Sequence, residues 1–244
     1  MPVFRLTDDL VFPPAALARS DGLLAVGGDL TRARLLLAYS QGIFPWYSNG
    51  DPILWWSPDP RLVLFPGEFH ASRRLRRVIR HGTFTVTMDE AFEDVITECA
   101  LARGPRRDGT WITPEMLAAY ITLHRAGYAH SVECWHDGTL AGGLYGVAMG
   151  QSFFGESMFS LRPDASKVAL AYLIAHAPVL GFSIIDCQVA SPHLASLGAR
   201  EIPRAEFIAL VARGMDPGVR TRAWRVRLCP YWPGVNRRHR PISK

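Results

Sequence analysis

The stretch IIDCQV, residues 184–189, sets a carboxylate and a carboxamide two positions apart in an apolar run. In an extended strand side chains alternate, so Asp186 and Gln188 share one face while Ile185 and Cys187 take the other. A buried carboxylate without a partner is costly, or shifts its pKa and neutralises. Two readings follow. Asp186 accepts hydrogen bonds from loop amides, or it stands in a cleft where it binds a cation or helps take a proton from an amine. Glu156, in QSFFGES, supplies a second acid from a neighbouring part of the sheet. Around both acids lie Leu144, Phe153, Phe154, Met158, Leu170, Leu173 and Ile185, enough for an apolar pocket. Core packing explains each of these residues taken singly.

Other chemistries find less support. The chain has neither a GxxxxGK[ST] phosphate loop nor an HExxH metal site. GESMF around Ser157 resembles a nucleophile elbow but lacks the second glycine, and it ends a meander strand where an elbow would open a βα turn. No spacing supports a triad of Ser157, Asp186 and His193, and His193 in ASPHLASLG reads as a loop or cap residue. A coenzyme A enzyme would show [RQ]xxGx[GA] before a helix. RSDGLL and RRDGTW match only the first half, with Leu24 and Trp111 in the final small position. Cys99, Cys134, Cys187 and Cys229 are scattered without a CxxC, so free thiols are expected, not disulfides or a structural zinc.

The elements that must position these groups are legible from their periods. LTRARLLLAYSQG is a short helix capped by Thr31 or Asp29 and stopped at Gly42. IFPWYSNGDPILWWSPDPR, rich in Pro, Gly and Trp, cannot be regular helix. In ASRRLRRVIRHG the apolar Leu75, Val78 and Ile79 fall at i, i+3, i+4, opposite a cationic face of Arg73, Arg74, Arg76, Arg77 and Arg80. TFTVTM alternates as a strand and EAFEDVITECALA is helical. The next helix has Thr113 as N-cap, Pro114 at N1 and Gly127 at its stop. AHSVECW, LAGGLYGVAM and QSFFGES form a meander, followed by the helix DASKVALAYLIAHAPVLG, the strand FSIIDCQV and the helix RAEFIALVAR. That order predicts an α+β domain with a mixed sheet, the order of GNAT-type acyltransferases.

The 244 residues are 48% hydrophobic and 20% charged, the profile of a globular protein with a real core and no membrane span. MPVFRLTDDLVFPP lacks a basic-then-apolar leader, so a cytoplasmic protein is expected. The net charge is +5, and no acid lies between Glu68 and Asp89 around the arginine helix. Acid-free basic clusters of this kind, repeated in the tail from Arg220, point to a polyanion partner.

Together, GLLAVGGDL, FPWYSNGDPILWWSPDPR, GTWIT, GGLYGVAMG, FFGESMFS, ASK and IIDCQV followed by HLASLGAREIPR resemble the leucyl/phenylalanyl-tRNA–protein transferases, over about Gly22 to Arg204. The resemblance implies a small N-terminal α/β domain, residues 1–62, packed on a GNAT-like catalytic domain, residues 63–244, acting as a monomer without cofactor or metal. It implies transfer of Leu, Phe and, less, Met from aminoacyl-tRNA to the N-terminal Arg or Lys of acceptor proteins, which marks them for degradation under the N-end rule. A peptidoglycan-type aminoacyl-tRNA transferase would be longer and lack DCQ, and a coenzyme A N-acetyltransferase would need the missing pyrophosphate loop.

The same resemblance assigns roles. Leu144, Phe153, Met158, Leu170, Leu173 and Ile185 become the pocket for the transferred side chain. Tyr39, Trp46, Trp111 and Tyr120 become the site of the 3′-terminal adenosine, and the arginines from Arg73 to Arg80 meet acceptor-stem phosphates. Asp186, Gln188 and Glu156 become the centre of the aminolysis. Asp186 either prepares the acceptor α-amine through Gln188 or serves as counter-ion for its cationic side chain.

Overall fold

The computed structural model describes residues 3–102, 111–215 and 224. The N-terminal part comprises β1 (Phe4–Leu6), β2 (Leu23–Gly27), α1 (Arg32–Ser40), β3 (Phe44–Pro45) and β4 (Leu54–Trp56). Thr31 caps α1 by accepting the Arg34 amide, and Gly42 beyond its end has φ +72°, a backbone glycine adopts without strain. The Pro- and Trp-rich segment forms short strands, and the sheet order is β1-β2-β4-β3.

A seven-stranded sheet follows. Its elements begin with β5 (Arg61–Leu64), α2 (Arg73–Arg80), β6 (Thr85–Met88), α3 (Phe92–Leu101) and α4 (Pro114–Arg125). The meander is β7 (Ala129–His136), β8 (Thr139–Met149) and β9 (Ser152–Ser160). After it come α5 (Ala165–Leu180), β10 (Ile184–Gln188), α6 (Pro192–Ala195), β11 (Arg200–Ile202) and α7 (Arg204–Gly214). The sheet order is β11-β5-β10-β9-β8-β7-β6, with β9 and β10 parallel and every other neighbouring pair antiparallel. This is the expected α+β class with a mixed sheet, and the meander–helix–strand–helix order is the one anticipated. In this part β5, α6 and β11 were not anticipated, each being too short to show a period.

A boundary after residue 62 falls inside β5. All of β5 pairs with β10 and β11, so the passage between the two sheets lies between Trp56 and Arg61. Alternation along the meander gives the large sheet two buried faces. Tyr145, Val147 and Phe154 join one core with α1, α3, α4 and α7, while Leu144, Ala148 and Phe153 join another with α2 and α5. The first core also takes in Leu24, Ala25 and Trp55, so the small sheet shares it without a break. Helix α5 is buried nearly all round, which explains its weak amphipathic pattern. The tail expected to be basic from Arg220 lies outside the described residues, apart from Trp224.

Candidate active site

Pairing between β9 and β10 runs from Ile184↔Ser152 to Asp186↔Phe154 and stops there. Beyond that point a bulge shifts β10 against β5 between Asp186 and Gln188, and a second shifts β8 against β9 at Tyr145/Gly146. Gly146 permits the second bulge, since a Cβ there would lie 2.2 Å from the Phe154 carbonyl oxygen. The strands part, and a cavity of about 280 Å³ opens between them. Its lining is largely apolar, with Leu144, Phe153, Met158, Leu170, Leu173 and Ile185 contributed by β8, β9, α5 and β10. Glu156, Asp186 and Gln188 also line it, as do Trp46 and Trp111.

The polar groups form one chain. Arg61 Nε and Nη2 donate to the two carboxylate oxygens of Asp186 at 2.8 and 2.7 Å, with both side chains fully buried. The guanidinium lies between the rings of Phe44 and Phe207, at 4.7 and 4.6 Å from their centroids. Asp186 Oδ1 also accepts the backbone N–H of Gln188 at 2.9 Å. That bond fastens Gln188 at φ +65°, a conformation costing a non-glycine residue about 1–3 kcal/mol. Gln188 Nε2 then donates to Glu156 Oε1 at 2.9 Å, leaving the amide oxygen free of the carboxylate. Tyr120 donates to Glu156 Oε2 at 3.0 Å, and Tyr39 bonds to the Tyr120 hydroxyl.

Burial pushes the Glu156 carboxyl up to about 7, although hydrogen bonds from Tyr39 and Tyr120 draw it down. Burial, with Glu156 close by, raises both phenols well above the ordinary tyrosine value, so they remain neutral donors. At the cavity Trp46 is 40% exposed, its ring close to Trp56, whose indole N–H donates to the Trp46 carbonyl at 2.7 Å. Trp111 also lines the cavity and is nearly buried.

Sequence comparison bears directly on this arrangement. A family model described as leucyl/phenylalanyl-tRNA protein transferase matches residues 63–212, and its N-terminal domain model matches residues 28–59. A leucyl/phenylalanyl-tRNA–protein transferase of Syntrophobacter fumaroxidans is 60% identical over 94% of this chain and 98% of its own. The chain belongs to the leucyl/phenylalanyl-tRNA–protein transferase family. A second transferase of that name, from Desulforapulum autotrophicum, is 57% identical over 88% of this chain and 94% of its own. Among solved structures, a GCN5-related N-acetyltransferase from Kribbella flavida covers 68% of this chain and 59% of that chain, at 14% identity and a TM-score of 0.37. A likeness that slight says nothing about function.

The structure brings some of the expected site residues together and places others elsewhere. All six apolar residues line one cavity together with the acid–amide centre. Simple alternation put Cys187 on the opposite face from Asp186 and Gln188, yet all three line the cavity, because the bulge turns the strand end. The charge of Asp186 is already paired within the protein, since Arg61 donates to both of its oxygens. Its link to Gln188 runs through the backbone amide, not the side chain. Tyr39 and Tyr120 present no ring face to an adenosine. Both are fully buried, outside the cavity lining, and support Glu156 from behind.

On α2, Leu75 and Ile79 are buried and the arginines exposed. Arg74 is tied to Asp164 at 2.8 Å and Arg76 to the Ala71 carbonyl at 2.7 Å. Arg73, Arg77 and Arg80 have no protein partner among the described residues, and α2 packs against the pocket helix α5.

Two residues of the site were missed. Arg61 opens the apolar run RLVLF, and a charge entering a buried strand was the available signal that an acid partner lay elsewhere in the chain. His193, set aside as a loop residue, sits on α6 and lines the cavity. Ser157 lines it too with its Oγ buried and without a partner among the described residues, so Ser157, Asp186 and His193 share a cavity without bonding as a triad. Cys99 and Cys134 are buried and, like Cys187, form no disulfide among the described residues, and Cys229 lies outside them.

Away from the cavity, Asp89, His124 and His130 bring ligand-capable atoms within 4.8 Å of one another. His124 Nδ1 faces the Ala129 carbonyl at 2.8 Å, and His130 bonds Asp89 at 2.6 Å and the Gly127 carbonyl at 3.2 Å. These bonds fasten β7 to α4 and to the end of β6.

Proposed function

We propose that this protein transfers an aminoacyl group from tRNA to the N-terminus of an acceptor protein; its relatives are named leucyl/phenylalanyl-tRNA–protein transferases. The observation that carries this reading is one cavity lined by six apolar side chains, by the acid–amide centre of Glu156, Asp186 and Gln188, and by Trp46 and Trp111. The apolar lining receives the side chain of the transferred residue. Leu, Phe and Met suit a pocket lined by Met158 and four aliphatic side chains beside Phe153, because unbranched or γ-branched groups fit where β-branched Val and Ile clash. Each such misfit is worth about 1–3 kcal/mol.

The exposed ring of Trp46, with Trp111 lining the same cavity, stacks on the terminal adenine, an interaction worth about 1–3 kcal/mol per base. Every tRNA ends alike, so discrimination falls to the amino-acid pocket. Arg73, Arg77 and Arg80 meet acceptor-stem phosphates without reading sequence. The acceptor begins with Arg or Lys, and the protein works as a monomer in the cytoplasm. No helix among the described residues is long and apolar enough to cross a membrane.

The reaction is aminolysis of an activated ester, which asks for positioning and for removal of a proton from the amine. Gln188 is held by Asp186 at its backbone and by Glu156 at its amide nitrogen, so its amide oxygen stands as a fixed acceptor for the incoming ammonium. Asp186 and Arg61 act as positioning residues. Incubating the purified protein with radiolabelled Leu-tRNA, Phe-tRNA and acetyl-CoA, with an Arg-initiated peptide as acceptor, tests the reading. Label is expected in the peptide from both aminoacyl-tRNAs and not from acetyl-CoA. Transfer from neither tRNA would sink it.

A further inference from the structure

We propose that His193 takes the proton from the attacking amine, an inference that rests on the aminoacyl-transfer reading above. Four side chains able to exchange a proton line the cavity beside the phenol of Tyr145: Glu156, Asp186, Cys187 and His193. Three are engaged. Both oxygens of Asp186 accept from Arg61. Each oxygen of Glu156 already accepts a hydrogen bond, from Gln188 and from Tyr120. The Cys187 thiol points to the Ile185 carbonyl, and burial raises its pKa, so it stays protonated.

His193 differs from all three. Its ring has no hydrogen-bond partner among the described residues, and its side chain is exposed to solvent while lining the cavity. It stands on α6, just past the end of β10 that carries Gln188. Lys167 from α5 is the charged group that acts on its ring, Glu156 from β9 and Asp186 from β10 line the same cavity, and α6 bears no other ionisable residue. Partial burial, and then Lys167, lower its pKa from the ordinary histidine value, so near neutral pH the ring is uncharged with a free lone pair.

The steps balance without a further reactant. The α-ammonium of the acceptor, oriented by the Gln188 amide oxygen, gives one proton to the imidazole. The freed lone pair forms the C–N bond at the ester carbonyl as the C–O bond to the terminal ribose breaks. The second amine proton passes to the departing ribose oxygen, and the imidazolium releases its proton to water at the exposed side of the cavity.

Single-turnover transfer from Phe-tRNA to an Arg-initiated peptide, followed across pH for wild type, His193→Gln and His193→Ala, tests this. Both variants are expected to lose about 10²–10⁴-fold in the transfer step, while binding Phe-tRNA within about twofold of wild type. Added imidazole should restore part of the rate in His193→Ala and leave wild type unchanged. A variant with the wild-type rate and pH profile would overturn the proposal. So would a uniform loss at every pH without imidazole rescue, or a matching loss of Phe-tRNA binding. A wild-type protein that transfers nothing would instead sink the underlying reading of function.

Discussion

The guanidinium of Arg61 and the carboxylate of Asp186 meet in a two-bond ion pair at 2.8 and 2.7 Å, buried between β5 and β10 and 125 positions apart in the chain. The pair neutralises a carboxylate at the centre of the site. It also leaves Asp186 Oδ1 able to hold the strained backbone of Gln188, whose amide in turn grips Glu156. The polar centre is thus fastened from its buried end, and what faces the cavity is an oriented amide.

Breaking this pair should cost more than removing it. Arg61→Met leaves an uncompensated buried carboxylate and is expected to lose about 3–5 kcal/mol of stability by urea unfolding. The double variant Arg61→Met/Asp186→Leu should recover most of that loss while transfer stays impaired, because the Gln188 amide has lost its acceptor. Equal destabilisation by the single and double variants would show that the pair is not coupled.

Glu156 gives stability a pH dependence of definite sign. Burial raises its carboxyl from 4.5 unfolded to about 7 folded. Between those values the native state keeps a proton that the unfolded chain has lost, so stability falls as pH rises through that window, by up to an order of 3 kcal/mol. Glu156→Gln should flatten this decline. Parallel stability–pH curves for the two proteins would contradict it.

Leu144 is 3% exposed and lines the cavity. Leu144→Ala is expected to lose about 2–5 kcal/mol of stability. It should also lower kcat/KM for Leu-tRNA by about 10–200-fold, with a smaller effect for Phe-tRNA, whose larger ring refills the space. An unchanged Leu-to-Phe ratio would remove Leu144 from the specificity pocket.

The arginines of α2 should not contribute equally to tRNA binding. Arg77→Gln/Arg80→Gln is expected to flatten the slope of log K against log salt by about 0.7–0.9 for each phosphate no longer neutralised. Arg74→Gln should change it less, because Arg74 already has Asp164 as partner. Filter binding over a salt series measures the slopes, and three indistinguishable slopes would exclude this face from tRNA binding.

Local chemistry settled most of the framework before any tertiary contact. Thr31 and Thr113 as caps, Gly127 as a stop, the apolar stripe of α2 and the alternation of the meander each act within a few residues, so they are legible along the chain. Its motifs likewise placed the chain beside the transferases and picked out Asp186, Gln188, Glu156 and the six apolar pocket residues. What the fold alone decided depends on partners far apart in sequence. Nothing near Asp186 announces Arg61, and the bulge that brings Cys187 beside Gln188 arises only when β10 meets β5. The same distance hid the burial of Tyr39 and Tyr120 behind Glu156. Periodicity tells a side chain which face of its own strand or helix it occupies, but whether that face meets solvent, substrate or an opposite charge is fixed by packing between elements.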